Sequence, residues 1–173
     1  MLSWMQNLTR NLIEKFLYEV YKNTMEVESY LSPISSSLIK KGMYILLDEK
    51  TCKVTDVVIT KTGKHGHMKV NLVANEIFGG KKHTYMCAGH NSLLQVEVKK
   101  NEYQVLAVYS QQGEYMLDYF NENSEVVSLP LQEEEHKKHV NCENMVVTIV
   151  TGVEGKSGAY VLVSKITEFK REK

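Results

Sequence analysis

The chain lacks several things whose absence is informative. No apolar run approaches the ~20 residues that a membrane span needs, and nothing resembles a secretory signal peptide. Cysteine is sparse: Cys52, Cys87 and Cys142 lie far apart, with no paired spacing, which fits a reducing cytosolic setting better than a disulfide framework. No Gly-x-Ser-x-Gly elbow and no evident acid–base pair is present, so an enzyme is not expected. Net charge is absent too, with 21 basic and 21 acidic residues, which speaks against a nucleic-acid-binding protein of the strongly basic kind.

That zero hides an asymmetry. Residues 1–90 carry 12 Lys and Arg against 8 Asp and Glu, whereas residues 91–173 carry 9 against 13. A sign difference between halves hints at a basic face that meets a polyanion. With 173 residues and 43% hydrophobic content, the chain can bury a core in one domain or two small ones.

What is present centres on a short cationic stretch, Lys61-Thr62-Gly63-Lys64-His65-Gly66-His67. Before it, Cys52 to Thr60 is rich in valine and isoleucine. After it, Met68, Val70 and Leu72 alternate with Lys69 and Asn71, so both flanks read as strands. Gly63 and Gly66 bracket Lys64 and His65, and glycine supplies the positive φ angles of a hairpin tip, so the loop is expected to project Lys64 outward. A phosphate-binding P-loop would need a glycine where Val58 stands and a hydroxyl where His65 stands. A KH-type Gly-x-x-Gly clamp would be flanked by helices rather than strands.

This heptad, with Lys69-Val70 and then Ile77-Phe78-x-Gly80-Lys81-Lys82 after it, resembles the hypusine loop and following strands of the eukaryotic translation initiation factor 5A family. The similarity continues through Cys87, His90-Asn91 and the β-rich second half, over roughly residues 36 to 168. The resemblance implies that Lys64 is extended by an aminobutyl group from spermidine and hydroxylated to hypusine, by deoxyhypusine synthase and deoxyhypusine hydroxylase. It implies no other cofactor. It also implies a cytoplasmic elongation factor on the ribosome, entering from the exit-tRNA site, whose hypusine reaches the peptidyl-transferase centre. There it would steady peptidyl-tRNA, relieve stalling at proline runs and assist termination. Lys61, Thr62, Gly63, His65, Gly66, His67 and Lys69 are then expected to shape the loop and contact ribosomal RNA, with Lys81 and Lys82 as further candidate contacts. The sequence departs from the family at Val58-Ile59-Thr60, at Met68, and near residues 90–100, where a usual proline is missing and Leu93-Leu94 stand.

Taken in order, the chain predicts a mostly β protein in three parts. Residues 1–32 form an amphipathic helical extension, with Leu8, Leu12, Ile13, Phe16, Leu17, Val20 and Tyr21 on one face and Ser32-Pro33 as its stop. That stripe suits packing on its own domain or a second copy, or docking on another protein; a mitochondrial transit helix fits least, since Glu14 and Glu19 interrupt it and Arg10 is its only arginine. Residues 33–96 hold strands at Met43–Leu47, Cys52–Thr60, Met68–Ile77, His83–Ala88 and from Leu93, arguing a compact barrel. By resemblance this is the SH3-like domain. Residues 97–173 hold strands at Tyr103–Ser110, Glu114–Phe120, Glu125–Leu129, Asn144–Val150 and Ala159–Ile166, with a polar helix at Gln132–Val140. Five strands with one helix so placed suit an OB-fold.

Two other chemistries are in view. His83-x3-Cys87-x2-His90 has a spacing usable by a metal, but there is no Cys-x-x-Cys or His-x-x-x-His unit, so no metal is expected. Tyr103, Tyr109, Tyr115, Tyr119 and Phe120 offer rings for base stacking, the basis of an alternative in which the chain is an unmodified single-stranded RNA- or ribosome-binding paralogue using the OB-fold. The other reading of these rings is core packing.

Overall fold

The computed structural model describes residues 24–61, 68–140 and 144–171. It is mostly β, as the sequence predicts, and its strands form two antiparallel sheets. Two compact units are present. One takes the chain up to Val98 together with Gly152–Val163, and the other takes Lys99–Thr151 with the residues from Ser164 on. Residues 152–163, read from sequence as part of the C-terminal domain, thus group with the first unit.

The first sheet has the order β1-β6-β2-β3-β4-β5, from β1 (Leu31–Ser35), β2 (Tyr44–Leu47), β3 (Lys50–Lys61), β4 (Met68–Glu76), β5 (Lys82–Ala88) and β6 (Ser92–Val96). Period-two alternation builds its core: Val70, Leu72 and Ala74 of β4 point inward and are fully buried with Ile45, Cys52 and Val54, while Lys69 stays in water. A bulge between Val54 and Asp56 resets the alternation, so Val57 packs on this core and Val58 faces outward.

β1 was not expected. Ser32-Pro33 reads as a helix stop, and residues 24–29 are indeed helical, but the chain then pairs at once with β6, Pro33 opposite Leu94. A proline, which has no N–H to donate, is tolerated there because β1 lies at the sheet edge. The expected helical extension over 1–32 is corrected at its end: residues 31 and 32 are strand, and Val27 and Tyr30 are buried against Leu46, Val96 and Val153. The stripe from Leu8 to Tyr21 lies outside the described residues.

The second sheet has the order β11-β10-β7-β8-β9, from β7 (Lys99–Gln111), β8 (Glu114–Phe120), β9 (Val126–Leu131), β10 (Met145–Lys156) and β11 (Ala159–Arg171). Leu117, Tyr119, Val147 and Ile149 form its buried centre. The helix α1 (Glu133–His139) falls where a polar helix was expected. Its first turn is acidic and its last basic, which suits the helix dipole.

β10 and β11 run past their expected ends at Val150 and Ile166, and the hairpin tip belongs to the first unit. There the Thr51 hydroxyl donates to the Val153 carbonyl and accepts from the Val153 N–H at 3.1 Å. Lys50 Nζ meets Glu154 at 2.7 Å, and the Gly155 N–H donates to the Glu49 carbonyl at 2.7 Å. Gly155 has to be glycine: a Cβ there would lie 2.4 Å from Glu49 Cβ.

Candidate functional site

β3 and β4 pair to their very ends, Thr60 opposite Lys69 and Lys61 opposite Met68, so residues 62–67 join the two arms of one hairpin. Thr62, Gly63, Lys64, His65, Gly66 and His67 lie outside the described residues. The platform beneath them is defined.

Lys61 and Lys69 are both exposed at the loop's base. Since opposed residues share a face and neighbours alternate, Lys61 lies on the face of Met68 and Val70, whereas Lys69 lies on the other with Thr60. The hairpin therefore carries a cation on each side of its tip. Lys81 and Lys82 are elsewhere. Lys82 pairs with Asn75, six residues along β4 from Lys69, a separation of ~20 Å. They are exposed, but the structure does not bring them to the loop.

Met68, one of the sequence departures, has a defined role. Its side chain lies over Gly89, where a Cβ would come within 2.8 Å of Met68 Sδ, and its carbonyl accepts the Gly89 N–H at 2.8 Å. The strand end beneath the loop is thereby tied to the β5–β6 turn. That turn is fastened in its own right: Ser36 Oγ donates to the Ala88 carbonyl at 2.8 Å, Ser35 Oγ to the Gly89 carbonyl at 3.0 Å, and the Ser36 N–H to the Asn91 carbonyl at 2.8 Å. Sequence reasoning gave Ser35 and Ser36 no role. Nothing in a Ser-rich stretch announces that it grips a turn some fifty residues away.

Val58 and Ile59, the other departures, are 49% and 46% exposed on this hairpin. The Val57 N–H is taken by the Asp56 carboxylate at 3.0 Å.

The His/Cys series does not converge. His83 is held between two carboxylates, Nε2 to Glu76 at 2.6 Å and Nδ1 to Asp48 at 3.2 Å; Cys87 is buried in the core, and His90 is exposed. Among the described residues no group of three His, Cys, Asp or Glu is placed to hold a metal.

The aromatic residues mostly serve packing. Tyr103 and Tyr119 contact each other at a centroid distance of 4.8 Å within the second core, Tyr115 lies on His136, and the Tyr109 hydroxyl donates to Asp118 at 3.2 Å. Only Phe120, 45% exposed, presents a large part of its ring to solvent among the five.

Two antiparallel β units, with a cationic hairpin tip on a fastened platform in the first, define the class: a two-unit β protein that presents a basic loop. Comparison with known proteins specifies the family. A family model described as translation initiation factor 5A-like, N-terminal, matches residues 29–91. The chain is 35% identical over 114 residues to eukaryotic translation initiation factor 5A of Dictyostelium discoideum, covering 65% of this chain and 70% of that protein. It is 40% identical over 76 residues to eukaryotic translation initiation factor 5A-1 of Saccharomyces cerevisiae, a match that spans 44% of this chain and about half, 48%, of the yeast protein. Among solved structures, a translation initiation factor 5A family protein from Naegleria fowleri superposes with a TM-score of 0.59 at 28% identity, covering 82% of this chain and 99% of that one. A Methanococcus jannaschii factor of the same name, 22% identical with a TM-score of 0.58, shares the fold. The chain belongs to the translation initiation factor 5A family.

Proposed function

We propose that this protein is a ribosome-associated translation factor whose Lys64, converted to hypusine, acts at the peptidyl-transferase centre. The observation that carries the reading is the Lys61–His67 heptad joining β3 to β4, inside the stretch that the family model matches. A paired hairpin is stiff enough to aim a long side chain, and hypusine carries two amines at the end of a thin, extended reach. Such a group enters a crowded ribonucleic-acid pocket that the body of a hairpin cannot. Lys61 and Lys69, on opposite faces of the tip, suit contacts to phosphates on both sides of the entry.

In this reading the protein enters from the exit-tRNA site and steadies the acceptor end of a badly placed peptidyl-tRNA. The gain is positional, since holding reactants in register removes entropy from the barrier. Peptide-bond formation recovers at stalling sequences such as proline runs, and termination is assisted. The chemistry remains the ribosome's, so the protein is not itself the catalyst. Deoxyhypusine synthase and deoxyhypusine hydroxylase are the modifying partners, and the compartment is the cytoplasm.

Peptide mass spectrometry of the native protein tests the first step, with a mass increase at Lys64 equal to the hydroxylated aminobutyl group as the expected result. Lys64→Arg tests the second, because arginine keeps the charge but cannot become hypusine. In cells relying on this protein, Lys64→Arg is expected to lower translation of a proline-run reporter by on the order of tenfold or more, ~1.4 kcal/mol per decade of rate. Normal reporter output with Lys64→Arg would overturn the proposal.

A further inference from the structure

The β7–β8–β9 meander of the second unit has an outer face that its core packing does not explain. Tyr119 and Val105 pair and point inward, so Phe120 points outward, directly opposite Val126 on β9. Both are open to solvent, at 45% and 57%. Beside them β7 carries a bulge: the register steps from Val105 opposite Tyr119 to Ala107 opposite Asp118, which leaves Leu106 as the extra residue, 44% exposed. Bulges re-aim side chains, and this one adds a third large apolar group to the outside of three adjacent strands.

The charge around this strip is of one sign. From Asn101 to Leu131 the chain has five carboxylates, Glu102, Glu114, Asp118, Glu122 and Glu125, and no Lys, Arg or His. Asp118 lies on the strip's own face, held by the Tyr109 and Ser128 hydroxyls. Glu122 and Glu125 stand in the turn that joins Phe120 to Val126, where Asn121 orients the Glu125 side chain. Of the five, Glu102 is neutralised by Lys170, at 2.7 Å.

This combination selects its occupant. Nucleic acid requires cations to replace counterions on its phosphates, and the meander's only two, Lys99 and Lys100, stand at the start of β7, before the stretch that carries the strip. An anionic lipid surface is repelled for the same reason. A second copy of this chain would bring carboxylates against carboxylates, since a two-fold contact sets each patch against itself. We propose that the outer face formed by Leu106, Phe120 and Val126 docks a lysine- or arginine-rich segment of a partner protein that also carries apolar side chains. The apolar groups bury the three exposed residues, and the cations meet Asp118, Glu122 and Glu125. This inference does not depend on the modification of Lys64.

The test uses the full chain, isotopically labelled, and follows its amide resonances while three ligands are added: a synthetic Arg-Leu-Ser repeat peptide, the same peptide with serine for leucine, and oligouridylate. Saturable shifts of the β7, β8 and β9 amides with the first peptide are expected. The serine peptide should bind at least ~10-fold more weakly, and Phe120→Ser should cost a similar factor for the leucine peptide. Val126→Thr keeps a β-branched side chain in the strand and provides a second variant of secure folding, expected to weaken binding in the same direction. Added salt should weaken the leucine peptide's binding. No saturable binding, equal binding of the two peptides, or unchanged affinity in both variants would overturn the proposal. Oligouridylate shifting the Phe120 and Val126 amides would overturn it in favour of nucleic acid.

Discussion

The two units solve the same problem, covering a twisted antiparallel sheet, in different ways. In the first, nine buried residues, Ile39 with others from β2, β3, β4 and β5, form one cluster, and a second cluster is completed by Val153 from the β10–β11 hairpin tip and by Val27 and Tyr30 from the segment before β1. In the second, the buried cluster has four members and the apolar residues packed against it are only partly covered. Charge divides them as well: cations flank the loop of the first, whereas the meander of the second has none from Asn101 to Leu131. A fastened body beneath a cationic loop suits aiming that loop, and an acidic sheet with exposed apolar groups suits capture.

Removing a large side chain from each core sharpens this contrast and should give the largest effect. Leu72 and Leu117 are both fully buried. Leu72 is ringed by other buried residues and its cavity cannot relax well, so Leu72→Ala is expected to cost ~4 kcal/mol; Leu117→Ala, among partly covered neighbours that can close in, should cost ~2–3 kcal/mol. Amide exchange read separately in each sheet, alongside chemical denaturation, checks both. Equal losses would remove the distinction between the two cores.

A smaller effect tests whether the hairpin tip is integral to the first unit. Thr51 is fully buried and its hydroxyl serves both the N–H and the carbonyl of Val153. Thr51→Val preserves shape but strands both groups, at a cost of ~1–3 kcal/mol. Exchange protection should fall first at residues 152–163 and should fall little in β7 to β9. A uniform loss across both units would show that the tip is not a local attachment.

Which features were legible follows from the same physics. β8 was readable residue for residue, Glu114–Phe120, and β4 nearly so, because each alternates between a buried and a wet side and two turns bound it. β1 was not, since Pro33 signals a break and only the empty edge of β6 makes a strand there permissible. The extent of β10 past Val150 runs through Gly152 and Gly155, and glycine weakens the signal of a strand. At Gly155 the reason is steric, because Glu49 comes too close for a side chain. At the candidate site, Lys61 and Lys69 could be placed from their positions at the start of the heptad and just after it. Lys81 and Lys82 could not, because nearness in sequence on a hairpin carries a residue to the far end of the sheet. The clasp made by Ser35, Ser36 and Gly89 depends on long-range pairing with no local pattern.

The smallest predicted effect concerns protons held by the two cores. Burial, then the carboxylates of Glu76 and Asp48, push the Cys52 thiol up from 9.0 to about 11. In the second unit, burial and then Tyr103 raise the Tyr119 hydroxyl above its usual value. Both groups are acids whose neutral form the fold favours, so the sign is shared. Their contribution is fully present below the unfolded-state value and is lost as pH rises towards the folded one, because the unfolded chain releases its proton first. For Cys52 the window runs from about 9 to about 11. Stability should therefore be level near neutrality and decline across that interval, and Cys52→Ala should flatten the part of the decline seen in β3 and β4 while leaving the part that belongs to Tyr119 and β8. Alkylation of Cys52 in the folded protein provides the direct check, since only the thiolate reacts: its rate should rise with a midpoint near 11. A midpoint near 9 would mean that solvent reaches this thiol, and the first core would then be no better closed than the second.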